Sequence, residues 1–186
     1  MSQLASAVGC VRVDGCAVAT GFLLNDGRFV TCCHVLPSRE VAARAEVVFE
    51  RYVDGRCVER MPCALAAETL RAYPTADVVA LRLRACARAP EGLRAGRRLR
   101  GSEELVVIHR PGGGQVRVSS RWRAVLAVRR AVLRHALDTQ EGSSGAPIFD
   151  RAWRVVGVHC DAGAVTAEGR AAYNIGTLIR AVPRVA

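Results

Sequence analysis

The chain has 186 residues, 51% of them hydrophobic and 24% charged, which excludes a disordered or collagen-like protein and allows one core or two small lobes sharing one. No apolar run approaches the roughly 20 residues that a membrane-crossing helix needs, and the opening Met1-Ser2-Gln3-Leu4-Ala5 lacks the basic cluster of a secretion signal. A soluble, cytoplasmic protein without a membrane partner is therefore expected; its formal charge of +10 is carried entirely by arginine, since the sequence contains no lysine.

The dominant hydrophobic period is two. Val11–Val13 and Val18–Leu24 read as strands around an Asp14-Gly15 hairpin turn, and Asn25-Asp26-Gly27 predicts a second hairpin into Arg28–Thr31. Ser38–Ala45 predicts a short helix capped by Ser38. Further strands are expected at Glu46–Tyr52, Cys57–Leu65 and Val78–Leu83. A charged stretch with Pro90, Gly92 and Gly96 follows, read as a linker over about residues 89–100. Beyond it lie strand candidates at Leu105–Ile108, Gln115–Val118, Trp122–Val128, Leu133–Asp138, Pro147–Phe149 and Arg154–Val158, then a short helix at Thr177–Val182. Many short strands at this spacing predict an all-β protein in two halves, about 1–88 and about 101–186.

The arginines admit two readings, a compositional bias or an electropositive face for nucleic acid. They are scattered, with short clusters only at Arg94, Arg97, Arg98, Arg100 and at Arg129, Arg130, Arg134, and aromatic residues make up 5% of the chain. Stacking platforms for bases are thus scarce, which argues against a nucleic-acid partner. Trp122 and Trp153 are read as packing residues. Eight cysteines without a secretion signal are expected to be reduced. There is no Cys-x-x-Cys pair to suggest a zinc ribbon. Cys33-His34 and His159-Cys160 could meet around a metal, but buried cysteines usually serve as small hydrophobes.

Three segments carry chemistry together. His34 follows a strand in Thr31-Cys32-Cys33-His34; Asp77 opens an apolar strand in Ala76-Asp77-Val78-Val79; and Ser144 lies in the small-residue turn Gly142-Ser143-Ser144-Gly145-Ala146-Pro147. Acyl transfer by a serine needs a base for its proton, an acid to orient that base, and backbone N–H donors for the oxyanion. Taken singly, each residue reads as a turn, a cap or a core histidine. Their joint order, with Asp77 43 residues after His34 and Ser144 67 after Asp77, points to a catalytic set. His109 and His135 lack such a context and are read as structural or exposed.

In these motifs the sequence resembles the chymotrypsin-fold, trypsin-like serine peptidases, and within them the small bacterial, HtrA-like and glutamyl-endopeptidase branches. Thr20-Gly21-Phe22, Val155-Val156-Gly157-Val158-His159 and the turn Arg110-Pro111-Gly112-Gly113 extend the likeness over most of the chain. The resemblance implies two six-stranded antiparallel β-barrels with the site between them and a short C-terminal helix. It implies a serine endopeptidase that needs no metal or cofactor, with Ser144 as nucleophile, His34 as base, Asp77 as orienting acid, and the amides of Gly142 and Ser144 as oxyanion donors. Asp138 occupies the position where trypsin-like enzymes hold a basic side chain, whereas Thr139 and His159 match positions that bind an acidic one; the second reading is favoured. Ser143 stands where digestive relatives place an aspartate that pairs with a new N-terminus, so activation by N-terminal cleavage is not expected. Secreted relatives carry a cysteine where this chain has Val35, which supports an intracellular home. A protein or peptide substrate follows, with an effector or processing role beside a sensor or regulatory protein. The alternatives are a catalytically inactive protease-fold binding module and an Arg-rich nucleic-acid binder. The chain order His-Asp-Ser does not suit an α/β-hydrolase esterase.

Overall fold

The computed structural model describes residues 2–84, 86, 88–96, 99, 104–164 and 172–185. After a short helix α1 (Ser2–Ser6), the first half contains β1 (Val8–Val13), β2 (Cys16–Leu23), β3 (Arg28–Thr31), helix α2 (Arg39–Ala43), β4 (Ala45–Val53), β5 (Arg56–Tyr73) and β6 (Val78–Leu83). These six strands close an antiparallel barrel in the order β1-β2-β3-β6-β5-β4. The hairpin turns follow their residues: Asp14 and Gly15 both have positive φ, as do Asp54 and Gly55 between β4 and β5, which matches the right-handed twist of the flanking strands. Ser38 caps α2 through its hydroxyl, which accepts from the Val41 amide at 3.4 Å.

The second half holds β7 (Leu105–His109), β8 (Arg117–Arg121), β9 (Val125–Arg129), β10 (Val132–His135), β11 (Pro147–Phe149), β12 (Val155–Ala162) and β13 (Asn174–Leu178). They form a curled sheet in the order β8-β7-β11-β12-β13-β10-β9. The closed first barrel and the curled second sheet agree with the expected pair of β-barrels; among the described residues the second sheet has seven strands, because β8 pairs with β7 and β9 with β10. One expected element differs. The predicted helix over Thr177–Val182 is the end of β13 followed by a single 3₁₀ turn, Ile179–Ala181. Thr177 pairs with Val158 and Val132, so two strands compete successfully for a segment of weak local preference.

Continuous apolar runs are explained by burial on both faces. In β6, Val79 and Leu81 enter the barrel interior, whereas Val78 and Ala80 join the core between the two halves. In β7, Leu105 and Val107 pack within the second sheet, and Val106 and Ile108 meet that same seam. Phe22 and Phe149, both fully buried, face it from opposite sides. The segment after the first barrel is clipped to both units: Leu93 exchanges backbone hydrogen bonds with Leu23 and Asn25, and Val155 with Arg94 and Gly96. Arg97, Arg98 and Arg100 lie outside the described residues.

Not all thiols are free. Cys63 and Cys86 form a disulfide, a correction to the expectation of reduced cysteines. The cause is register: Leu65 pairs with Leu83 and the Arg84 amide bonds to the Ala64 carbonyl, so the chain leaving β6 runs beside β5 and brings Cys86 to Cys63. The packing reading of Trp122 is also corrected, since its side chain is exposed with the Arg151 guanidinium over the ring. Trp153 is partly exposed and meets Phe149 edge-on.

A buried ion pair crosses the seam. Arg110, just past β7, bonds to Glu50 of β4, and its guanidinium also donates to Tyr52 at 3.1 Å and to the Gly114 carbonyl at 3.0 Å. Burial would raise the Glu50 carboxyl, but hydrogen bonds from Arg110 and Tyr52 outweigh it and hold the group below the usual carboxylate range. Glu50→Ala would strand the Arg110 charge in the seam, and should cost about 3–5 kcal/mol. Urea unfolding of the variant measures this; a loss below about 1 kcal/mol would show that water or Tyr52 compensates.

Candidate active site

Three loops converge where the two units meet. His34 stands in the turn that follows β3, in which the Val35 and Leu36 amides both bond back to the Cys32 carbonyl. Asp77 sits between a 3₁₀ turn (Pro74–Ala76) and β6 with φ near +49°, a left-handed conformation that Asp tolerates better than most residues. That conformation presents the carboxylate to His34. One oxygen lies 2.7 Å from His34 Nδ1 and the other accepts the His34 amide at 3.0 Å. The hydrogen bond that the ring donates to Asp77 raises the His34 pKa above its ordinary 6.5, against the opposing effect of partial burial. With its Nδ1–H directed at Asp77, the neutral ring offers Nε2 as an acceptor.

Ser144 is partly buried in the loop between β10 and β11. Its hydroxyl donates to the Cys160 carbonyl on β12 at 3.1 Å, and among the described residues no hydrogen bond joins it to His34. The loop is fastened to the first barrel. The Thr20 amide donates to the Ser144 carbonyl at 3.0 Å, and the Thr20 hydroxyl donates to the Gly142 carbonyl at 2.7 Å. Gly145 has φ near +86°, and a Cβ there would lie 2.1 Å from the Thr20 carbonyl, so only glycine allows this approach.

The Glu141 carbonyl accepts the Gly112 amide at 2.8 Å. Because a trans peptide directs its carbonyl and N–H oppositely, the Gly142 N–H points away from the Pro111-Gly112-Gly113 turn. Neither the Gly142 nor the Ser144 amide has an acceptor among the described residues. Ser143 is fully buried: its hydroxyl lies 2.7 Å from His109 Nδ1 and accepts the Gln140 amide at 3.1 Å. Burial pushes the His109 pKa down to about 4, with Arg117 adding to the effect. A neutral Ser143–His109 pair thus orders the residue preceding Ser144.

The pocket candidates do not all gather. Asp138 and Thr139 line a cavity of about 810 Å³ together with His109, Arg117, Arg121 and Asn174. Asp138 is exposed there. His159 is absent from that wall; it is buried on β12, with Nδ1 3.3 Å from Nε2 of His135. Burial pushes both rings down, His135 to about 4 and His159 well below its ordinary value. The Leu137 amide donates to His135 Nδ1 at 3.4 Å. His135 therefore carries its proton on Nε2 and donates to His159 Nδ1, which leaves the His159 proton on Nε2.

The alternative in which Cys33-His34 and His159-Cys160 meet around a metal does not form among the described residues, as the Cys33 thiol turns to the Val78 carbonyl at 3.0 Å. Thr20, Glu50 and Arg110 were not singled out for the site in the sequence. Only the Arg110-Pro111-Gly112 turn hinted that the end of β7 matters, since the contacts of all three cross between the halves.

Residues 19–158 match the trypsin-like peptidase domain family. No curated protein matches the chain at a significant level. Among solved structures, the active form of the Rv3671c protease from M. tuberculosis aligns at 20% identity over 95% of this chain and 78% of that one, with a TM-score of 0.66. The inactive form of Rv3671c aligns at 21% identity over 95% and 85%, with a TM-score of 0.65. Deg5 aligns at 16% identity over 95% and 85%, with a TM-score of 0.67. These likenesses carry the double-barrel fold. The family match begins on β2, runs through the turns of His34 and Asp77 and the Ser144 loop, and ends on β12; the chain belongs to the trypsin-like peptidases.

Proposed function

We propose that the chain is a serine endopeptidase in which His34, Asp77 and Ser144 act as base, orienting acid and nucleophile. The observation that carries this reading is the two-point grip of Asp77 on His34, through Nδ1 and the backbone amide. It holds the imidazole in the tautomer that can take the Ser144 proton. Ser144 Oγ attacks the scissile carbonyl after its hydroxyl turns from the Cys160 carbonyl toward His34 Nε2, a tightening expected when substrate enters an unliganded site. His34 then passes the proton to the leaving amine, and water repeats the sequence on the acyl-enzyme. The amides of Gly142 and Ser144 receive the oxyanion, each contributing about 3 kcal/mol.

The Ser143–His109 pair supports a loop that orders without a new N-terminus, and the proposed role is that of an effector or processing peptidase governed by a partner protein. The Thr139 hydroxyl, in one cavity with Arg117 and Arg121, favours a carboxylate-bearing side chain before the cut bond, whereas Asp138 is solvated and His159 is buried outside that wall. A peptide-library profile tests this, and dominant cleavage after Arg would reverse it. For the central reading, a fluorophosphonate probe should label the wild-type chain once, at Ser144, and leave Ser144→Ala unlabelled. A folded wild-type protein that neither takes the probe nor cuts peptides would instead be a binding module.

A further inference from the structure

Behind the His34–Asp77 pair lie two thiols that the hydrolytic mechanism does not use. Cys32 directly follows β3 of the first barrel and is fully buried; Cys160, on β12 of the second sheet, is 3% exposed. Both belong to the core of the seam. Cys32 Sγ, Cys160 Sγ and a carboxylate oxygen of Asp77 all lie within 4.8 Å of one another. The other polar atoms near the sulfurs are neutral: the His159 carbonyl 3.4 Å from Cys32, with the Gly145 amide beside it, and the Val158 carbonyl, Thr177 hydroxyl and Asp77 carbonyl 3.6, 3.7 and 3.9 Å from Cys160.

Two soft sulfurs and one carboxylate oxygen form a donor set for a thiophilic divalent ion. Metal–sulfur bonds of about 2.3 Å and metal–oxygen bonds of about 2.0–2.2 Å set tetrahedral donors roughly 3.5–3.8 Å apart. The present triangle needs shifts of about 1 Å or less to close on an ion. The Asp77 side chain is 32% exposed, which gives an ion an entry path and room for a water as fourth ligand.

We propose that Cys32, Cys160 and Asp77 form an inhibitory site for a thiophilic divalent cation such as Zn²⁺, which on binding draws the Asp77 carboxylate from His34. Both thiols release their protons to solvent as the two metal–sulfur bonds form, and no oxidation state changes. The inhibitory half of the proposal rests on the serine-peptidase reading; the binding half does not. Its reason lies in geometry: the oxygen that orients His34 and the oxygen offered to the ion belong to one carboxyl group.

The test uses the full chain handled without air or reductant, so that the Cys63–Cys86 disulfide stays closed, with the exposed Cys16 and Cys57 replaced by Ser to remove their background. Titration with Cd²⁺ should give a sulfur-to-metal charge-transfer band that saturates at one equivalent. Cys32→Ala, and independently Cys160→Ala should either fail to fold, should weaken that binding about 10-fold or more. Zn²⁺ should suppress peptide cleavage in the parent, and about 10-fold more Zn²⁺ should be needed in Cys32→Ala. A band unchanged in the folded variants, or no band in the parent, overturns the site; a full band without loss of cleavage overturns the inhibition. A band in a protein that never cleaves peptides under any condition sinks the peptidase reading and leaves the site standing.

Discussion

Asp77→Asn should reduce kcat/KM for peptide cleavage about ten-thousand-fold, with little change in unfolding midpoint. The amide keeps the shape of the carboxyl group but cannot accept both the His34 Nδ1–H and the His34 amide as a charged partner. The imidazole then shifts its proton toward Nε2, the nitrogen that must receive the Ser144 proton. Ser144→Ala should be at least as severe, because residues of such a set act as a unit. A pH profile adds a readout that misfolding would not imitate. His34 must be neutral to act as base, and the Asp77 hydrogen bond raises its pKa. Activity of the wild-type chain should therefore rise with pH through a midpoint above 6.5, and Asp77→Asn should move that limb downward. An Asn variant retaining more than about a tenth of wild-type activity would remove Asp77 from the mechanism.

Acid should unfold this protein well before its carboxylates are all protonated. His109 and His135 are buried with pKa values pushed down to about 4, and His159 moves in the same direction. An unfolded chain takes up these protons near pH 6.5, whereas the folded one resists until about pH 4. Stability is thus fully present above pH 6.5 and is lost progressively as pH falls toward 4. The loss is on the order of 3 kcal/mol for each of His109 and His135, against a typical total of about 5–15 kcal/mol. His34 has the opposite sign: its raised pKa adds stability below pH 6.5 that disappears as pH climbs through the folded value. That group is 48% exposed and weakly buried, so the core histidines dominate. Urea midpoints at pH 7.5, 6, 5 and 4 check this, with His135→Gln expected to flatten the dependence. An unfolding midpoint constant down to pH 4.5 would refute it.

The first barrel was more legible than the second because its signals are local. Asp14-Gly15 and Asn25-Asp26-Gly27 each specify a tight reversal through backbone conformations that need no distant partner. β6 and β11 appear with the bounds expected from sequence. β13 does not, since Asn174–Leu178 is a strand only because β12 and β10 flank it. The Cys63–Cys86 bond was hidden for a similar reason: pairing depends on ladder register, which cysteine spacing does not encode.

For the site, the order of His34, Asp77 and Ser144 within recognisable turns is a property of the sequence alone, because each turn is written in small, polar or glycine residues that have few local alternatives. So are the glycines at 142 and 145, whose positive φ values are costly for other side chains. Tertiary structure alone decided that Thr20 holds the Ser144 loop, that Arg110 meets Glu50 beneath it, that Ser143 rests on His109, and that two thiols from different barrels meet behind Asp77. Those contacts join residues far apart in the chain, and they exist only because both faces of β6 and β7 are apolar and force the two units into a shared core.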